Sequence, residues 1–215
     1  MVYGGWYLVI EYFIKYHSKL EKALFEHLQI VTITLIISIL LAAAITVFIM
    51  KSDFASKLVV SVFSVIYSIP SLALFAMLIP IMGIGKDTAI IVLVAYNQFL
   101  LIRNFLAGFH MVDKSIVEAA VGMGMSDWQL LRKIKLPLAM EAIIAGIHLA
   151  IISTIGIATI GATINAGGIG TILFDGLRTQ NTAKILWGTI LSAGLAFVAN
   201  GLLNLVEKKM KKAGI

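Results

Sequence analysis

Residues 113–137 read DKSIVEAAVGMGMSDWQLLRKIKLP, and the way this stretch is read decides the fold. It lies between two apolar runs, carries charges of both signs and is too long to be a simple turn. Ser115 with Glu118, and Ser126 with Gln129, both show the spacing in which a cap hydroxyl and the side chain three residues on satisfy each other's unpaired amides. Two helix starts are therefore expected. Ile116, Val117, Ala120 and Val121 give the first helix one apolar face. Gly122 and Gly124 follow, where the backbone can turn at little cost. The second helix is expected to run through Trp128, Leu130, Leu131 and Ile134 until Pro137, which has no amide to donate, ends it. The product is a compact two-helix knob suited to docking.

A polar knob between apolar runs implies that the runs are membrane spans, and composition agrees. Of 215 residues, 60% are hydrophobic and 13% charged, and the mean hydropathy is +1.00. A soluble domain of this size is neither so apolar nor so poor in charge. The absence of cysteine removes disulfides and thiolate metal sites from consideration. A net charge of +6 raises the question of nucleic acid, but in a membrane chain excess Lys and Arg marks cytoplasmic loops. No nucleic-acid partner is expected.

Residues 1–27 are interrupted throughout by charge (Glu11, Lys15, Lys19, Glu21, Lys22, Glu26), so they are expected to lie outside as an interfacial segment rather than to span. Trp6, Tyr7, Tyr12, Phe13 and Tyr16 form the kind of aromatic cluster that rests at a bilayer surface. None of the three parts of a cleavable signal peptide is present. Ser18 with Glu21 is expected to cap the helix entering the first span. Five spans follow, at about 28–50, 58–82, 88–109, 142–164 and 185–206, forming one domain, with a basic tail at 207–215. Each is long enough to cross a core of about 30 Å. Pro70 and Pro80 fall within the second, and the stretch 165–170, NAGGIG, reads as an irregular external or pore-lining turn. The expected fold class is all-α integral membrane: five transmembrane helices, an N-terminal interfacial helix and a cytoplasmic loop carrying the knob.

Placing the knob inside puts Lys51, Lys57, Arg103, Lys114, Arg132, Lys133, Lys135 and the tail lysines in the cytoplasm. Lys15, Lys19, Lys22, Lys86, Arg178 and Lys184 remain outside. The asymmetry favours an external N-terminus and a cytoplasmic C-terminus. Gly188, Ser192, Ala196, Asn200 and Asn204 recur every four residues down the fifth span, and Gly146 with Ala150 and Ala158 with Ala162 recur in the fourth. Such small stripes let helices approach closely. They serve either a second subunit or packing within the chain, and five helices alone hardly enclose a solute path.

Catalytic signatures are missing. Gly85-Lys86-Asp87 lacks the upstream glycine and the hydroxyl residue of a phosphate-binding loop, and His17, His27, His110 and His148 show no metal spacing. His148 lies within the fourth span, where an ionisable group is either functional or a neutral partner of a neighbouring helix. The chain reads as a non-enzyme that binds no cofactor of its own.

Glu118, Ala119, Ala120, Gly124, Ile134, Leu136 and Pro137 resemble, position by position, the EAA-x3-G-x9-I-x-LP signature of the membrane subunits of bacterial binding-protein-dependent ABC importers. The resemblance implies that these residues couple to separate cytoplasmic ATPase subunits, which hold ATP and magnesium. It also implies a second permease subunit, identical or related, an external substrate-binding protein, and a place in the bacterial cytoplasmic membrane. Residues 69–74 (IPSLAL), 79–85 (IPIMGIG), 102–104 (IRN), 122–125 (GMGM) and 167–170 (GGIG) look like permease subunits of osmoprotectant importers, which carry glycine betaine, carnitine or choline. Three positions depart from that pattern: Leu100 and Glu141 stand where proline is common, and His148 where arginine is common. The resemblance implies alternating access driven through the knob.

A quaternary ammonium solute needs a route tolerant of a permanent cation, and aromatic faces provide one. Ser64, Tyr67, Ser68, Asn97 and Gln98 are the candidate pathway residues, and each serves equally well as an interhelical hydrogen-bond partner. A permease for another solute such as methionine is the alternative. An ion-coupled secondary transporter is less favoured, since no Asp or Glu lies well inside any span.

Overall fold

The structure, a computed structural model, describes residues 3–212. The side chains of Trp6 and Tyr7, two of the expected interfacial aromatics, and of Lys211 and Lys212 in the tail lie outside the described residues, as do residues 213–215. Among the described residues every regular element is helical.

Helix α1 (Tyr3–Ile49) bears its buried residues on one stripe at three- and four-residue steps: Leu20, Ala23, His27, Ile30, Thr34, Ser38, Ala42 and Thr46. Ile33, Ile36, Ile37, Leu40 and Phe48 point outward. Large apolar groups outside and small or polar ones inside is the arrangement a lipid solvent favours. No break marks the expected start of the first span at residue 28. The one non-helical residue is Tyr16, at φ −125° and ψ 18°, two residues before the Ser18–Glu21 pair. The charges that argue against crossing, Glu11, Lys15, Lys19, Glu21 and Lys22, all sit on exposed positions of this same helix.

The expected second span is a broken pair. Helices α2 (Asp53–Ser68) and α3 (Ser71–Met82) meet at 96°. The residue before a proline is driven from helical to extended backbone, and Ile69, before Pro70, takes φ −70° and ψ 131°. The hydroxyl of Tyr96 donates to the Ile69 carbonyl and holds the break against the next helix. Among the described residues four helices are long and apolar enough to cross a membrane, or five if the bent pair counts as one crossing.

Helix α4 (Lys86–His110) is the centre of the bundle, packing against α1, α2, α3 and the long helix that begins at Leu136. A loop with two short helices, α5 (Lys114–Gly122) and α6 (Asp127–Leu130), leads into α7 (Leu136–Ile160). Pro137 does not end the helix, contrary to expectation. Between α6 and α7 the chain makes a π turn, Leu131–Lys135, in which the Leu136 amide reaches back five residues to the Leu131 carbonyl. An α-helical proline collides with the carbonyl four residues before it, and the wider turn makes room for the ring. Helix α4 crosses α7 closely, since a Cβ at Gly146 would stand 2.6 Å from the Asn104 Cβ and one at Gly108 would stand 2.9 Å from the Ala139 oxygen.

Beyond α7 the backbone tightens into a 3-10 turn (Gly161–Ile164) and then reverses through Asn165, Gly167 and Gly168, all at positive φ. The irregular turn expected in this stretch is present. Helix α8 (Gly170–Arg178), in a stretch to which the sequence assigns no element beyond residue 170, doubles back so tightly that a Cβ at Gly170 would lie 1.9 Å from the Thr159 oxygen. Helix α9 (Thr182–Lys212) closes the chain. Its small stripe faces the chain's own helices as far as Asn200, while Asn204 is exposed: Gly188 lies against Leu173, and Asn200 accepts a hydrogen bond from His148 Nε2 at 2.7 Å.

Candidate coupling knob and solute path

Helix α5 begins differently from the expected Ser115–Glu118 box. Asp113 is the cap, its Oδ1 accepting the Ser115 amide at 2.8 Å, so Ser115 already lies inside the helix. That hydrogen bond holds the Asp113 carboxyl below the usual carboxylate range. At the other end, the Gly124 amide donates to the Val121 carbonyl at 2.9 Å and the Met125 amide to the Ala120 carbonyl at 3.2 Å. This pair of bonds is the Schellman ending, which places its C′ residue in the left-handed region. Gly124 occupies that position with φ 82°. The spacing of the small residues at 119–120 and the glycine at 124 is thereby a statement about how one helix stops.

The second start forms as the spacing implies: Ser126 Oγ accepts the Gln129 amide at 3.4 Å, and Gln129 Oε1 accepts the Ser126 amide at 2.9 Å. Lys51 Nζ donates to Asp127 Oδ2 at 2.6 Å, linking the α1–α2 turn to the knob. Between them α5 and α6 bury only Ala120 and Leu130. Ile116, Val121, Met123 and Trp128 are exposed. Glu118 and Ala119 are exposed, Ile134 and Pro137 half-buried, and Leu136 exposed. Glu118 lines a cleft of about 270 Å³ with Lys114, Lys135, Phe109 and Val117. Exposed apolar groups beside charged ones on a hydrogen-bonded loop form a surface that another protein can cover.

The candidate pathway residues fall into two groups. Asn97 and Gln98 are almost fully buried. The Asn97 amide donates to Thr154 Oγ1 at 2.8 Å and to Ser38 Oγ at 3.3 Å, joining α4 to α7 and α1. Gln98 Nε2 donates to the Ser38 carbonyl on α1 at 3.4 Å and to the Val94 carbonyl of its own helix at 3.1 Å. Both act as interhelical partners in this structure. Tyr67 turns to another face of α4, its ring centroid 5.5 Å from that of Tyr96 and 5.0 Å from that of Phe99. Ser64 is half-buried, and exposed Ser68 donates back to the Val65 carbonyl at 2.7 Å. The structure does not bring Ser64, Tyr67 and Ser68 together with the buried amides.

Sequence reasoning missed Ser38 and Thr154. It also missed Glu26 and His27, which hold the α7–α8 turn and the end of α7: Glu26 Oε2 accepts the Gly168 amide at 3.1 Å, and His27, packed against Gly168, donates from Nε2 to the Ile155 carbonyl of α7 at 3.2 Å. The four-residue spacing of Thr34, Ser38, Ala42 and Thr46 was the available signal for the buried side of α1.

Residues 34–212 match the family described as binding-protein-dependent transport system inner membrane component. The chain is 34% identical to the carnitine transport permease protein OpuCD of Listeria monocytogenes, over 94% of this chain and 91% of that protein. It is 33% identical to the choline transport system permease protein OpuBB of Bacillus subtilis, over 89% and 88% of the two chains. Its fold is similar to that of a chain of the MetNI methionine ABC transporter in an inward-facing conformation, with a TM-score of 0.75, 19% identity, and coverage of 89% of this chain and 98% of that one.

Proposed function

The chain belongs to the family of binding-protein-dependent transport system inner membrane components, and on that premise we propose that it is the permease subunit of an importer for a small quaternary ammonium osmoprotectant. The observation that carries this reading is similarity over nearly the whole chain to permeases of carnitine and choline transport. The methionine transporter, at 19% identity, speaks to shape alone. Methionine uptake remains the comparison against which substrate is measured.

In this reading the bent pair α2–α3 counts as a fifth crossing, the N-terminus lies outside and the tail inside a bacterial cytoplasmic membrane. Two permease subunits, identical or related, face each other across the solute path. ATP and magnesium are held by separate cytoplasmic ATPase subunits that cover the exposed apolar rim of the knob, Ile116, Val121, Met123 and Trp128. Glu118, Ala119, Ala120 and Gly124 shape that contact, while Ile134, Leu136 and Pro137 transmit it: from Asp127 to Ile160 the chain is helical without interruption, so a displacement of α6 is carried into the span. An external binding protein delivers the solute, closure of the ATPases moves the knobs, and the solute passes between the permease subunits.

The test is uptake by a strain lacking the chromosomal copy, with labelled carnitine, choline, glycine betaine and methionine in high salt. Restoration of uptake of a trimethylammonium solute by the plasmid-borne chain is expected. Restoration of methionine uptake alone contradicts the substrate assignment.

A further inference from the structure

The break between α2 and α3 puts a helix end and a set of aromatic faces at one depth in the bundle. Tyr96 and Phe99 fall near the middle of the 25-residue α4. Tyr67, in the last turn of α2, packs on both rings, and the Tyr96 hydroxyl is already committed to the Ile69 carbonyl. Helix carbonyl ends carry partial negative charge, and α2 ends here at Ser68. Tyr67 and Phe99 are only half-buried, so their faces remain reachable.

One cation already uses this surface. The guanidinium carbon of Arg103, one turn toward the cytoplasmic end of α4, stands 5.7 Å from the Phe99 ring centre, and Arg103 itself is exposed. A trimethylammonium group offers no hydrogen-bond donor, so aromatic faces and helix carbonyl ends are the groups suited to it.

We infer that Tyr67, Phe99 and the end of α2 receive the trimethylammonium group of the solute in transit, and that Arg103 is the resident cation it displaces from Phe99. This rests on the quaternary ammonium reading above. Two like charges cannot share one ring closely, so each weakens the other's hold. The exchange keeps the site weak, which transport requires, and returns Arg103 to the ring when the solute leaves.

The experiment uses the assembled importer, with its ATPase and external binding protein, and labelled choline at saturating binding protein. Phe99→Leu, which keeps apolar bulk but removes the ring face, lowers the uptake rate by between about 3- and 30-fold, and Tyr67→Leu acts in the same direction. Phe99→Trp, which keeps a face, stays within about twofold of wild type. In each variant, membrane yield matches wild type. Arg103→Gln changes an exposed side chain and leaves packing intact; it raises the choline retained by the purified importer without its binding protein. Equal rates for Phe99→Leu and Phe99→Trp, or unchanged retention in Arg103→Gln, overturn the inference while the importer reading stands. If wild type hydrolyses ATP but takes up no trimethylammonium solute, both fall.

Discussion

Two glycine turns flank the helical stretch 127–160, one between α5 and α6 and one between α7 and α8; called inner and outer after the orientation proposed above, they solve different problems. In the inner one, a Cβ placed on Gly124 meets nothing within 4 Å, so glycine answers only to a backbone that must adopt positive φ. In the outer one, a Cβ on Gly168 would come within 2.9 Å of His27 Nδ1, and one on Gly167 within 2.8 Å of Glu26 Oε2. There glycine answers to both conformation and space. The inner turn is held by its own backbone bonds and displays its surface. The outer turn is clamped by α1 and displays little. A surface built to be gripped by a partner belongs on the first kind of turn, and a fixed pivot belongs on the second.

Substitutions sharpen the contrast. Gly168→Ala combines left-handed strain with a clash against His27, and a loss of about 2 to 5 kcal/mol is expected, read as a lower melting temperature of the detergent-solubilised chain. Glu26→Ala removes the acceptor of the Gly168 amide and costs about 1 to 2 kcal/mol by the same melt. Gly124→Ala carries strain alone, about 1 kcal/mol; a destabilisation as large as that of Gly168→Ala would erase the distinction between the turns. The smallest effect belongs to the α5 cap. The Asp113 carboxyl is held low by the Ser115 amide, so its contribution is present above the ordinary carboxylate range near 4 and fades as pH falls through the lower folded value. Asp113→Asn keeps an acceptor and removes that pH dependence, which hydrogen exchange of the α5 amides between pH 3 and 6 would register.

Local rules made the inner turn readable. The Ser126–Gln129 box and the glycine at 124 depend on neighbours a few residues away, and both form as spacing implies. The same stretch also misleads where a closer alternative exists: Asp113 caps in place of Ser115, and a π turn carries the chain through Pro137. The outer turn shows only as an irregular stretch, because its grip comes from Glu26 and His27, well over a hundred residues away in the chain. Those two residues sit in a segment whose charges suggest exclusion from the membrane. Burial on α1 is equally hidden from a hydrophobicity count, since its inward side is Thr34, Ser38 and Thr46 while isoleucine and leucine face out. The 96° break is written in Pro70, although proline alone does not distinguish a kink from two helices.

The claim with the most consequence is that the inner turn is where ATP-driven motion enters the bundle. Labelled choline uptake by the assembled importer carrying Glu118→Lys, with membrane insertion followed in parallel, addresses it most directly. Glu118 is exposed on α5, so the chain should insert at wild-type level while uptake falls at least tenfold. Wild-type uptake by that variant would contradict the account.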